Sequence, residues 1–123
     1  MARFPKQEKL CGQLRIAALY KEGRRFVSFP LRVTYRRIDE SSEPVRVLIW
    51  APKSLFKHAV DRNHLRRLMR EAYRQEKAPL EEYCALHNCS FQLAFNYLDK
   101  EQHDLPSIQK AVRKALKRME NEN

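Results

Sequence analysis

Between residues 62 and 74 arginine recurs at every fourth position, as Arg62, Arg66, Arg70 and Arg74. On a helix turning about 100° per residue, each step of four advances about 40°, so the four guanidinium groups form one slowly precessing stripe. Asn63 and Arg67 make a second row beside it. A face built from arginine without lysine suits bidentate contacts to phosphate oxygens and base edges, because the planar guanidinium presents a fork of donors. A face needed only for solubility would mix signs, and like charges four apart repel by about a few tenths of a kcal/mol per pair. Glu71 has the spacing to pair with Arg67, and Asp61 lies at the helix N-terminus, where the macrodipole favours an acid. The chemistry this pattern supports is the binding of a polyanion.

Other reactive groupings are weak. Cys84-Ala85-Leu86-His87-Asn88-Cys89 is the one candidate metal cluster, with Cys11 far upstream. Its spacing is at the edge of the zinc range, no second pair of ligands accompanies it, and Cys89 opens a strand, where free cysteine behaves as a small hydrophobe. No serine or cysteine stands beside a histidine with an orienting acid, and the acids Asp39, Glu40 and Glu43 sit in a loop. His58 and His64 flank the arginine helix but do not share a face closely. Only Gly12 and Gly23 are present, which excludes glycine-rich phosphate loops and dinucleotide folds. The chain by itself carries no catalytic constellation and no metal site.

The elements that must hold the arginines follow from hydrophobic periodicity. Residues 1–12 read as an extended arm, and 13–22 as a short helix that Gly23 would stop in a left-handed conformation. Residues 29–37 alternate, with Leu31, Val33 and Tyr35 on one face and Arg32, Thr34 and Arg36 on the other. Residues 38–44 are a turn-rich connection to a second strand, Val45 to Ala51, and a hairpin of the two is the economical pairing. Ala59 to Glu76 is the long arginine helix, its apolar side carried by Leu65, Leu68, Met69, Ala72 and Tyr73. Residues 78–88 read as irregular. Ser90 to Leu98 alternates again, with Phe91, Leu93, Phe95 and Tyr97 inward and Ser90, Gln92, Ala94 and Asn96 outward. A last helix opens near Asp104 and Pro106, and residues 119–123 are expected to fray. The order α-β-β-α-β-α makes the class α+β, one domain over 1–123.

Composition narrows the partner. The 123 residues hold 25 Lys+Arg against 15 Asp+Glu, a formal net charge of +10, while 43% hydrophobic residues are enough for a core. Such an excess on a small surface points to nucleic acid, an acidic membrane or an acidic protein. No apolar run is long enough to span a bilayer, and the apolar stripe of the arginine helix is needed by the core, so no membrane partner is expected. Three cysteines, an odd number, fit a reduced, cytoplasmic setting. Major-groove readers of DNA lack a scaffold here, with no zinc finger, basic zipper or helix-turn-helix. A sheet face with Arg32, Thr34, Arg36, Arg46, Trp50, Gln92 and Asn96 beside an arginine helix suits RNA better.

The stretch Ala59-Val60-Asp61-Arg62-Asn63-His64-Leu65-Arg66-Arg67-Leu68-Met69-Arg70-Glu71-Ala72-Tyr73-Arg74 closely resembles the signature helix of the bacterial ribonuclease P protein component. The family pattern is A-V-x-R-N-R, a hydrophobic residue, K/R-R-L, a hydrophobic residue, then R-E-A and an aromatic. Lys9-Leu10, Tyr20-Lys21-Glu22-Gly23-Arg24, Pro52-Lys53 and the C-terminal amphipathic helix agree, so the resemblance covers residues 9–118. It implies a two-layer α/β sandwich like the second domain of ribosomal protein S5, with a left-handed βαβ crossover, where right-handed is the default. It also implies an RNA-binding subunit that assists a catalytic RNA in removing the 5′ leader of precursor tRNA, the Mg²⁺ belonging to that RNA. Arg62, Asn63, His64, Arg66, Arg67 and Arg70 would then contact the RNA subunit. A cleft of Ile16, Tyr20, Arg32, Thr34, Trp50, Lys53 and Lys57 would hold the leader.

Four positions depart from the family pattern. His64 replaces the last arginine of the R-N-R core, so a contact there is expected to be weaker or pH-dependent. Lys57 stands where many members have glycine, and Ile16 and Thr34 replace aromatics, with Trp50 placed by strand parity to compensate. Two rivals are a stand-alone or ribosome-associated RNA-binding protein of the same sandwich, and an autonomous nuclease.

Overall fold

The computed structural model describes residues 9–39 and 44–122. Most of the N-terminal arm and residues 40–43 of the expected turn lie outside them. The elements run α1 (Gln13–Glu22), β1 (Arg24–Ser28), β2 (Leu31–Ile38), β3 (Arg46–Trp50), α2 (Ala59–Glu76), α3 (Ala78–His87), β4 (Ser90–Tyr97) and α4 (Leu105–Glu122). This is the expected α+β class with one strand and one helix more. β1 escapes a periodicity reading because Phe26 is buried while Val27 beside it stays exposed. α3 replaces the irregular stretch: Pro79 sits in its first turn and Asn88 ends it in the left-handed region at φ 50°. Only Leu80 and Cys84 of α3 are buried, which leaves little pattern to read.

The expected hairpin of the second and third strands does not form. The sheet order is β1-β2-β4-β3, so β4 separates β2 from β3. The true hairpin is β1 with β2, closed by Phe29 and Pro30 between the paired Ser28 and Leu31. β4 runs antiparallel to β2 and parallel to β3. A parallel neighbour needs a crossover connection, and α2 with α3 supplies it, making the βαβ unit. β4 takes the centre because it is apolar on both sides: Phe91, Leu93, Phe95 and Tyr97 face one core while Ser90 and Ala94, expected outside, are also buried.

One sheet face is covered by α2, α3 and α4. Leu65, Met69, Ala72 and Tyr73 of α2 and Ile108, Ala111, Val112, Ala115, Leu116 and Met119 of α4 pack there over Val33, Tyr35, Leu93 and Phe95. Each of the larger aliphatic and Phe side chains among them contributes about 1.5–3 kcal/mol of burial. The Asp104 carboxylate accepts from the Ser107 N–H at 3.1 Å and caps α4 as expected. α4 then continues through Glu122 with Met119 fully buried, so the fraying placed at 119 does not set in there.

The other face carries a smaller core of Leu10, Leu19 and Ala94, edged by Ile16, Tyr20 and Leu48. The Leu10 N–H donates to the Val47 carbonyl at 3.0 Å, which fixes the end of the arm against β3. Gly23 is not left-handed as expected; its φ of −74° and ψ of 157° are extended. Its glycine is required by crowding instead: a Cβ would lie 2.5 Å from the Leu19 carbonyl oxygen and 2.9 Å from that of Tyr35.

Candidate nucleic-acid interface

The strand register sorts the second sheet face into rows. Val27, Arg32, Asn96 and Trp50 are successive neighbours across the four strands. The next row is Arg25, Thr34, Ala94 and Leu48, and beyond it Arg36, Gln92 and Arg46. α1 lies on the middle row, where Ala94 is small enough to admit Leu19. Thr34 is therefore fully buried beneath the helix, and its place among residues touching a ligand is corrected on that ground. The first row stays open, with Trp50 48% exposed, Val27 56% exposed and Arg32 exposed.

Tyr20 borders this open row. Its hydroxyl donates to Asn96 Oδ1 at 3.0 Å, and its carbonyl accepts from Arg25 Nη2. Arg36 Nη1 meets Glu22 at 3.2 Å, a third tie between α1 and the sheet. Ile16 is half-buried at the edge of the small core. Lys53 and Lys57 are exposed on the segment that follows Trp50. Tyr20, Arg32 and Trp50 thus border the open end of one sheet face, Ile16 edges the small core beside it, and Thr34 does not reach its surface. Asn96 falls on the outward-facing parity of its strand, but nothing in the sequence joins it to Tyr20.

The arginine stripe is less uniform than its spacing suggests. Arg62 Nη1 donates to the carbonyls of Phe56 at 2.8 Å and Lys57 at 3.0 Å, so this arginine clamps the loop before α2. Arg66 Nη2 donates to Asn63 Oδ1, which leaves the Asn63 amide nitrogen as a donor for another group. Glu71 pairs with Arg74 at 2.5 Å and accepts from Gln75 at 2.9 Å, rather than pairing with Arg67. The Arg74 and Gln75 hydrogen bonds hold the Glu71 carboxyl down at about 2. With Glu71 so engaged, Arg67 is left to the exposed side. There Asn63, His64 and Arg67 converge with Val60, Asp61 and Gln102 around a shallow groove of about 360 Å³. Gln102, from the segment between β4 and α4, carries no sequence signal for this role.

The cysteine cluster makes no such site. Cys84 and Cys89 are both buried, and burial followed by the adjacent Cys89 thiol pushes the Cys84 thiol up to about 12. Among the described residues no three His, Cys, Asp or Glu side chains gather as a metal would need. No helix among them is long and apolar enough to cross a membrane.

Comparisons with known proteins bear on the same elements. The chain is 34% identical over 115 residues to a ribonuclease P protein component of Porphyromonas gingivalis, covering 93% of this chain and 84% of that one. Its fold superposes on the RNase P protein of Thermotoga maritima with a TM-score of 0.70 at 22% identity, over 90% of this chain and 96% of the other. A Staphylococcus aureus RNase P protein mutant with defective mRNA degradation activity gives a TM-score of 0.70 at 20% identity, over 93% of this chain and 89% of the other. The family model described as Ribonuclease P matches residues 4–120, a span that takes in α1, the whole sheet and the arginine helix. The chain belongs to the ribonuclease P protein family.

Proposed function

We propose that this chain is the RNA-binding subunit of ribonuclease P and assists a catalytic RNA in removing the 5′ leader of precursor tRNA. The observation that carries this reading is the groove where Asn63, His64 and Arg67 converge on the exposed side of α2. The Arg67 guanidinium, the Asn63 and Gln102 amides and the His64 ring line it with a single carboxylate, Asp61, and such a set of donors suits phosphate oxygens and base edges. Arg62, Asn63, His64, Arg66, Arg67 and Arg70 are assigned to the RNA subunit, with Arg62 acting through the loop it clamps as well as through its charge. The leader is assigned to the open row of Arg32, Asn96 and Trp50 with Ile16, Tyr20, Lys53 and Lys57 at its border. An exposed indole beside a guanidinium offers a base a stacking surface and a phosphate a counter-charge.

The protein places RNA; the bond is broken by the RNA subunit with Mg²⁺, and no residue here is assigned to the metal. The cytoplasm, where precursor tRNA and reduced cysteines coexist, is the setting that fits. The test is reconstitution: the purified chain is added to a ribonuclease P RNA at low Mg²⁺, and 5′ leader removal is followed. Faster leader removal is expected. No stimulation, or cleavage by the chain without the RNA, overturns the reading.

A further inference from the structure

The basic face of α4 belongs to neither surface described above. Arg113 is drawn to Glu76 of α2 at 2.7 Å. Lys110 and Lys114, one turn apart, instead line a groove of about 250 Å³ with Phe29, Pro30, His103 and Ser107. Phe29 is at the tip of the β1–β2 hairpin and 63% exposed, with the His103 ring edge-on to it at 5.6 Å.

The frame around this groove is fixed. Ser28 Oγ donates to the Ala111 carbonyl at 2.7 Å, tying the hairpin to α4. The Leu98 N–H donates to the Pro30 carbonyl at 2.8 Å. Tyr97 Oη accepts from the His103 N–H at 2.9 Å and donates to the Glu101 carbonyl at 2.6 Å. The nearby carboxylates are already engaged, Asp99 by His103 at 2.6 Å and Asp104 by the Ser107 N–H at 3.1 Å. Among the described residues neither Lys110 nor Lys114 makes an ion pair.

An exposed aromatic ring on an anchored hairpin, beside two ammonium groups without ion pairs, is the composition of a base-stacking platform along a phosphate chain. We propose that this groove takes an unpaired nucleotide of RNA, its base on Phe29 and its phosphates on Lys110 and Lys114. The inference rests on the RNA-binding reading above and extends it to a third surface. The short segment between β4 and α4 joins the two grooves: Gln102 lines the one on α2, and His103 lines this one. RNA leaving Arg67 therefore has this groove next to it.

The test compares Phe29→Ala, the double variant Lys110→Ala/Lys114→Ala and, as reference, Arg67→Ala, all in the full chain. In one arm each protein is titrated onto ribonuclease P RNA alone; in the other, precursor tRNA is titrated onto the assembled ribonucleoprotein. In the arm that supplies the nucleotide, Phe29→Ala is expected to weaken binding about five- to a hundredfold with an unchanged salt slope. The double variant is expected to lower the slope of log affinity against log salt by about 1.4 in the same arm. All three residues are exposed, and an unaltered thermal midpoint confirms that the variants fold. Full affinity in both arms, with Arg67→Ala still weakening assembly, overturns this inference alone. Full affinity for Arg67→Ala as well overturns the reading beneath it. A photo-crosslinker at position 29 that captures an acidic protein in place of RNA also overturns the inference.

Discussion

Arg62 Nη1 lies 2.8 Å from the Phe56 carbonyl oxygen and holds the segment that leads from β3 into α2. An arginine in the first turn of the arginine helix is thus also a structural clamp, since the same nitrogen reaches the Lys57 carbonyl. Removing it strands two acceptors, each worth about 0.5–1.5 kcal/mol when bonded. Arg62→Ala is expected to lower stability by about 1–3 kcal/mol in denaturant unfolding as well as weaken RNA assembly. Arg67→Ala, on the exposed side of the groove, is expected to leave stability within about 0.5 kcal/mol. It should instead reduce the salt slope of assembly by about one. A stable Arg62→Ala variant would show that the clamp is dispensable.

Tyr20 tests the open row of the sheet. Its hydroxyl bond to Asn96 spans 76 residues of sequence and sets where α1 ends over the sheet. Tyr20→Phe keeps the ring and removes the bond, so stability is expected to fall by about 0.5–1.5 kcal/mol. Affinity for leader-bearing precursor tRNA should fall more than affinity for mature tRNA. Equal losses for both substrates would place the leader elsewhere.

What the sequence made legible divides along the reach of the interactions. α2 and α4 were readable because Leu65, Met69, Ala72 and Tyr73, or Ile108 through Met119, repeat at helical spacing and Asp104 marks a start. The arginine stripe was readable for the same reason, since it needs only one helix. Its partition was not: Glu71 can reach either i−4 or i+3, and side-chain geometry chose Arg74. Thr34 and Ala94 alternate correctly for an outward face, yet both are buried because α1 docks on that row. Strand order was lost for a related reason. Local alternation says which face a residue takes, whereas pairing β4 between β2 and β3 depends on a chain that returns after two helices.

Gly23 separates crowding from backbone freedom. Its dihedrals are open to any residue, but an added methyl would meet the Leu19 and Tyr35 carbonyl oxygens at 2.5 and 2.9 Å. Both neighbours are backbone and cannot swing aside. Gly12 is the opposite case, with open space around it and a φ of 94°. Gly23→Ala is expected to cost about 2–4 kcal/mol in denaturant unfolding, by overpacking and displacement of the α1–β1 junction. Gly12→Ala is expected to cost about 1–2 kcal/mol, from strain alone. If the two losses were equal, crowding at Gly23 would not be the reason for its glycine.

Glu76 and Glu71 contribute to the acid limb of stability. Its carboxylate accepts from Arg113 at 2.7 Å and from Gln109 at 2.8 Å, joining α2 to α4, and these two bonds hold its pKa below the usual 4.5. Glu71 is likewise lowered, to about 2, by Arg74 and then Gln75. A carboxyl depressed in the folded state binds its proton less readily there than in the unfolded chain. The stabilisation is therefore whole above the unfolded value near 4.5 and is lost as pH falls through the folded value. Unfolding free energy measured by urea titration is expected to be flat for these two groups from neutral pH to about 5 and to fall below it. Glu76→Gln should flatten part of that acid slope while lowering stability at pH 7, because a neutral amide cannot pair with Arg113. A variant with the full acid slope would move the pH dependence to other carboxyls, with Asp99 beside His103 and Asp104 at the start of α4 the remaining depressed groups among the described residues.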